Sequence, residues 1–188
     1  MRWVLGGVGI IVVLIAAVTV AGMLLPRDHV ATRTARIAAP RDSIWRVLTT
    51  PAEYPRWRPD ITRVERWPAV GTLVLWREHS RQGPITMAIE LEDPPQRLVT
   101  RIADSTLPFG GSWDFHLAAD GVNESRVTVT ERGSVYNPIF RFVSRFVTGH
   151  TATMDSYLRA LGQRYGEVVV PAPAMAATPE SPAARDAR

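Results

Sequence analysis

SRVTVTERGSVYNPIFRFVSRFVTGHTATMDSYLRALGQRY, residues 125–165, changes its period in the middle, and that change decides the fold. From Ser125 to Val135 the residues alternate, with Val127, Val129 and Val135 on one side and Arg126, Thr128 and Thr130 on the other. This is the pattern of a half-buried strand. Asn137 then offers a side-chain cap, and Pro138 brings the fixed φ that suits a first helical position. Beyond them Ile139, Phe142, Val143, Phe146, His150, Met154, Tyr157, Leu158 and Leu161 recur on one stripe at helical spacing. Gly166 and Pro171 end the pattern. The spacing predicts one helix over 138–165, about 42 Å long at about 1.5 Å per residue, lying on the apolar face of a sheet.

The sheet is legible upstream. Residues 61–67, 72–80, 85–92, 97–103 and 111–118 read as extended, separated by Gly71, Gln82-Gly83-Pro84, Asp93-Pro94-Pro95, Pro108-Phe109-Gly110 and Asp120-Gly121. Such short gaps imply antiparallel neighbours. Ile85, Met87, Ile89 and Leu91 alternate with Thr86, Ala88, Glu90 and Glu92, and Trp113, Phe115 and Leu117 with Ser112, Asp114 and His116. One face should therefore be apolar and the other wet. A first strand over 30–39 stops at Pro40, after which Asp42 or Ser43 is placed to cap a short helix carrying Ile44, Trp45, Val47 and Leu48. Pro51, Pro55 and Pro59 confine Tyr54-Pro55-Arg56-Trp57 to a helical turn. The class is α+β, with an antiparallel sheet wrapped around a long C-terminal helix.

Two segments flank this domain of residues 27–170. Trp3 to Leu25 holds no charge, and its 23 residues make about 34 Å of helix against a hydrocarbon core of about 30 Å. A cleaved signal peptide has a basic start and a shorter apolar stretch; with Arg2 alone before so long a run, residues 3–25 read as a retained single-pass transmembrane helix. Arg27, Arg33, Arg36 and Arg41 outnumber Arg2 around it, which places the domain in the cytoplasm by the positive-inside rule. Residues 171–188 are Pro- and Ala-rich with Met175 their one large apolar side chain, and are expected to be disordered.

Composition removes several function classes. Of 188 residues none is Cys, which excludes disulfide scaffolds, Cys-zinc sites and thiol nucleophiles. The net charge is +4 and all 22 basic residues are Arg, but between residues 26 and 170 they number 19 against 16 acids and are interleaved. No basic face results, so no nucleic-acid partner is expected. The four His, at 29, 79, 116 and 150, are scattered, and His29 precedes the expected fold, so no metal is expected. No Ser–His–Asp set, P-loop or dinucleotide-binding glycine motif is present, and no cofactor is expected.

The stretches Ile37-Ala38-Ala39-Pro40-Arg41-Asp42-Ser43-Ile44-Trp45, Tyr54-Pro55-Arg56-Trp57, Asp93-Pro94-Pro95-Gln96-Arg97-Leu98, Thr130-Glu131-Arg132-Gly133 and Tyr157-Leu158-Arg159-Ala160-Leu161 give the chain a family likeness. In their order, over residues 30–166, the chain resembles the START-like or SRPBCC superfamily, the helix-grip fold of polyketide cyclases and dehydratases and of lipid-transfer domains. The resemblance implies a cavity between sheet and long helix that binds a hydrophobic molecule or hosts chemistry in different members.

Glu131 shares strand parity with Val127, Val129 and Val135, so its carboxylate should point to the apolar side. It is a candidate acid, base or hydrogen-bond anchor; the alternative is a structural ion pair with an Arg or a capping role near Asn137. His150, on the apolar stripe, is a second candidate acid or base, or else a hydrogen-bonded core residue. Glu78 shares parity with Trp76, and Arg77 with His79, so one charged group approaches the cavity whichever side faces in. The expected ligand wall is Trp57, Trp76, Met87, Trp113, Phe115, Glu131, His150, Met154 and Tyr157, whose rings serve packing equally well. The leading expectation is a membrane-anchored domain that binds a hydrophobic small molecule or lipid. The alternatives are a cyclase or dehydratase-type enzyme using Glu131 or His150, and a membrane-tethered interaction module without a ligand.

Overall fold

The computed structural model describes residues 2–149 and 151–174. The chain runs α1 (Arg2–Leu24), β1 (Asp28–Ile37), α2 (Arg41–Leu48), a 3₁₀ turn (Pro51–Arg56), β2 (Ile61–Val70), β3 (Leu73–Ser80), β4 (Gly83–Asp93) and β5 (Arg97–Ile102). It continues with β6 (Phe109–Ala119), β7 (Ser125–Val135), α3 (Pro138–Val143), a π turn (Ser144–Thr148), α4 (Ala152–Arg164) and β8 (Ala172–Pro173). All strands join one antiparallel sheet in the order β2-β3-β4-β5-β6-β7-β1-β8. The fold is α+β, as the alternation implied.

The core lies where α4 meets the sheet. Met154, Leu158 and Leu161 from α4 are fully buried against Val127 and Val129 of β7, Leu98 of β5 and Ile37 of β1, while Ile44 and Leu48 of α2 seal the same cluster. One turn of helix thus meets alternate residues of a strand, the two periods read from the sequence. Asn137 caps α3, its Oδ1 accepting from the backbone N–H of Ile139 at 2.9 Å and of Phe140 at 3.3 Å.

Four expectations need correction. The helix over 138–165 is broken: α3 gives way to the π turn, Gly149 takes φ +71°, and α4 is a separate helix of 13 residues. Thr148, Gly149, Thr151 and Thr153 are the cause, since β-branched residues and glycine are poor helix formers and Gly149 accepts a left-handed backbone freely. Neither Asp42 nor Ser43 caps α2; Pro40 holds that position and Ser43 Oγ meets Tyr165 Oη at 3.2 Å instead. The outer face is not uniformly wet, because Arg77 stacks on Trp67 and its Nε donates to Thr86 Oγ1 at 3.2 Å, so that Thr86 and Ala88 are buried beside half-buried Met87. Asp114, assigned to the same wet face, is buried beneath Arg97 and Arg132.

The domain also extends past residue 170. Val169 is buried, β8 pairs with Arg33 and Thr34 of β1, and Arg33 Nη2 donates to the Pro171 carbonyl at 2.8 Å while pairing with Asp155 of α4. Residues 171–174 are thus part of the fold, and 175–188 lie outside the described residues. Among the described residues one helix, over Gly7–Leu24, is long and apolar enough to cross a membrane; its mean hydropathy is 2.6 and 6% of it is buried, unlike a core helix.

Candidate functional site

Between the sheet and the segment from α3 to the start of α4 lies a cavity of about 540 Å³. Its wall is contributed by Phe140, Val143 and Ser144 on the helical side with Gly149, Ala152 and Thr153, and by β3 to β7 on the other. Ile85, Met87, Ile102, Trp113 and Phe115 are among its apolar lining. Tyr157 closes the floor, with ring centroids 5.3 Å from Trp113 and 5.5 Å from Phe115, within the range of favourable aromatic pairs.

Of the expected wall, Trp76, Met87, Trp113, Phe115, Glu131 and Tyr157 border this cavity. Trp57 and Met154 do not: Trp57 is packed edge-on behind Tyr157 at 5.2 Å, and Met154 points from α4 into the core. At the start of α4, Ala152 and Thr153, not Met154, border the space. His150 lies outside the described residues.

Two polar clusters interrupt the carbon. The first is on the wall. Glu131 is opposite Ala31 and His29 is opposite Gly133, so the two side chains are diagonal neighbours on one sheet face. Gly133 makes this possible, because a Cβ there would collide with the His29 ring. His29 Nε2 approaches Glu131 Oε1 at 3.6 Å, with the side chains 16% and 22% exposed. Burial pushes the Glu131 carboxyl up to about 6, against a hydrogen bond from Trp113 that lowers it. Burial also holds His29 below its ordinary 6.5, although the Asp28 carboxylate beside it works the other way. Burial thus brings the Glu131 titration close to neutral pH, where the carboxyl is still mostly ionised at pH 7, and leaves His29 neutral there.

The second cluster is the floor. Trp76 Nε1 donates to Glu78 Oε1 at 2.9 Å, and Arg58 Nη1 donates to Glu78 Oε2 at 3.0 Å. The Arg58 guanidinium also stands over the rings of Tyr54 and Tyr157, at 5.2 and 5.1 Å. Burial opposes the Arg58 charge, but Glu78, Tyr157 and Asp60 together outweigh it and hold the guanidinium more firmly protonated. Burial likewise raises Tyr54 and Tyr157. The floor is thus an ion pair beneath aromatic rings, with Arg58 Nη2 also donating to Asp60 Oδ2 at 2.7 Å, whereas the Glu131 and His29 pair is titratable and faces the space.

Sequence reading missed His29, Arg58, Tyr54 and Phe140 as cavity residues. His29 falls just before the strand expected from residue 30; the one available signal is Gly133, a glycine inside a strand, which marks close approach from a neighbour. Arg58 sits between prolines in an irregular stretch where no period assigns a side.

No curated protein matches the chain by sequence. Among solved structures, a START superfamily protein from Mycobacterium smegmatis aligns with a TM-score of 0.58 and 18% identity, covering 72% of this chain and 96% of that one. An aromatase/cyclase from Streptomyces aligns with a TM-score of 0.59 and 15% identity, over 73% and 93%. Truncated norcoclaurine synthase from Thalictrum flavum aligns with a TM-score of 0.59 and 14% identity, over 74% and 94%. At these identities the likeness is one of fold. Residues 28–166 match the family described as polyketide cyclase/dehydrase and lipid transport. That match runs from the first residue of β1 to just past the end of α4, so the chain belongs to the polyketide cyclase/dehydrase and lipid transport family.

Proposed function

We propose that the protein binds a hydrophobic small molecule or lipid in the cavity between sheet and broken helix, tethered to a membrane by α1. The cavity carries this reading: about 540 Å³, with Met87, Ile102, Trp113 and Phe115 in its wall, is within the size range of small-molecule sites and offers a mostly apolar wall with a few polar groups, as such sites do. The polar wall at Glu131 and His29 then serves as the anchor for one polar end of an otherwise apolar ligand. The tether fits such a ligand, since a molecule that partitions into lipid is concentrated where α1 holds the domain. The excess of arginines on the domain side of α1 supports a cytoplasmic domain by the positive-inside rule.

A second reading is favoured by one observation, the approach of His29 Nε2 to Glu131 Oε1 at 3.6 Å inside the cavity. A carboxyl raised to about 6 beside an imidazole held below 6.5 can take and return a proton near neutral pH, which suits cyclase or dehydratase chemistry. In that case Glu131→Gln lowers the rate about 10²–10⁴-fold. As a site for binding alone, the substitution leaves affinity for an apolar ligand nearly unchanged.

The binding reading is tested by [¹³C-methyl]-methionine NMR of the full chain in detergent micelles, titrated with 2-naphthol. Met87 borders the cavity and Met154 is core. The expected result is a saturable shift of the Met87 methyl larger than that of Met154. A Met87 signal that does not move, or moves only in step with Met23 of α1, overturns the reading.

A further inference from the structure

The tether and the cavity meet at the same end of the sheet. β1 begins just after α1 ends, with Asp28 opposite Ser134 near the end of β7, and β6 begins there with Phe109 opposite Val135. Phe109, Val135 and Phe140 all border the cavity.

α1 is fastened at that end. Gly22 is buried where a Cβ would collide with the Pro138 carbonyl, so α1 and α3 touch backbone to backbone. Arg141 Nη1 donates to the carbonyls of Gly22 at 3.2 Å and Leu25 at 3.3 Å, which the end of a helix leaves without intrahelical partners. Its Nε and Nη2 donate to the carbonyls of Val135 at 2.9 Å and Tyr136 at 3.0 Å. One guanidinium thus staples α1 to the end of β7. About 20 residues of helix cross a hydrocarbon core, so the turns of α1 that α3 touches lie at the boundary of the bilayer. α3 must lie there too. Its outward side chains suit that place: Phe140 is 49% exposed and Phe146, just beyond, 64%, with Ile139 beside them.

We propose that α3 and the π turn form a rim of the cavity embedded in the headgroup boundary of the bilayer, so that an apolar ligand enters from the lipid phase without crossing water. This rests on the tether reading of α1. Phe140 belongs to both surfaces, half exposed to the bilayer and half in the cavity wall. Beside it the π turn and Gly149 interrupt the helix, so contact with α1, rather than a continuous backbone, sets where the rim sits.

The chain has no Cys, so single spin labels can be placed at will. Ile139→Cys and Phe146→Cys, in the full chain reconstituted into phosphatidylcholine vesicles, are compared with Val13→Cys in α1 and Val122→Cys in the exposed turn at the far end of the sheet. Power-saturation EPR then reads oxygen against a water-soluble nickel chelate. Labels at 139 and 146 are expected to favour oxygen, and 122 nickel. Labels at 139 and 146 that read like 122, while 13 reads as lipid, overturn the rim and leave the tether standing. A label at 13 that reads as water overturns both. Gly22→Leu, which wedges α1 from α3, is expected to move the 146 label toward water with 13 unchanged; no movement overturns the staple.

Discussion

Glu131→Gln reports on the site without requiring knowledge of its ligand. The side chain is 22% exposed, and burial raises its carboxyl from 4.5 to about 6. A folded state that holds the proton more tightly than the unfolded chain gains stability as pH falls. The ionised carboxylate therefore costs nothing below about pH 4.5, an increasing amount as pH rises toward 6, and a constant amount above it. At about 1.4 kcal/mol per pH unit, the displacement from 4.5 to about 6 is worth about 2 kcal/mol. Gln keeps the shape and an oxygen for the Trp113 indole and removes the titration. His29 remains in both proteins, and at pH 8, above its lowered pKa, it is neutral and adds little. Urea unfolding of the full chain in micelles, followed by tryptophan fluorescence, should show the variant more stable than the wild type by up to about 2 kcal/mol at pH 8. The two should converge at pH 4. A variant less stable at pH 8, or a difference that is the same at both pH values, would show that Glu131 is not a buried charge held against its preference.

Three further substitutions probe the frame. Gly133→Ala places a methyl in the His29 ring and should cost about 1–3 kcal/mol; a ¹³C-imidazole titration should show the His29 pKa returning toward 6.5 as the ring swings out to water. Asp114→Asn leaves Arg97 and Arg132 without their carboxylate, and because both arginines are partly exposed the loss at pH 7 should be about 1–3 kcal/mol. Net pairing holds Asp114 below 3.8 in the fold despite burial, so its contribution is present above that pH and lost as pH falls below it; the variant should show no such acid-dependent loss in urea titrations at pH 7 and pH 3. Leu158→Ala removes a fully buried side chain of α4 and should cost about 2–5 kcal/mol by the same unfolding assay.

The alternation of Val127, Val129 and Glu131 and the stripe of Met154, Leu158 and Leu161 made the sheet and its covering helix legible, because burial imposes a period on sequence. What burial does not impose was not legible. The break at Gly149 depends on a few residues of poor helix propensity against a favourable stripe, and no local rule states which wins. Ser144, Gly149, Ala152 and Thr153 around this break border the cavity, and Met154 beyond it does not. His29 and Glu131 are about a hundred positions apart in the chain and meet only through the register of β1 on β7. Asp114 sits at a position whose parity says solvent, and is buried because Arg97 and Arg132 reach across neighbouring strands to cover it. Pro171–Pro173 carries no apolar pattern at all; backbone pairing and Arg33 hold it to the sheet edge.

Native mass spectrometry of the full-length protein extracted in detergent tests the cavity most directly. It is paired with Met87→Trp/Ile102→Trp, which fills the space from two strands and leaves α1 and its surrounding lipid untouched. The expected result is a bound apolar molecule on the wild type, released at higher collision energy than micellar detergent and missing from the filled variant. A wild type with nothing bound, or the same molecule on both proteins in the same amount, would mean that the cavity is not where this protein holds a ligand.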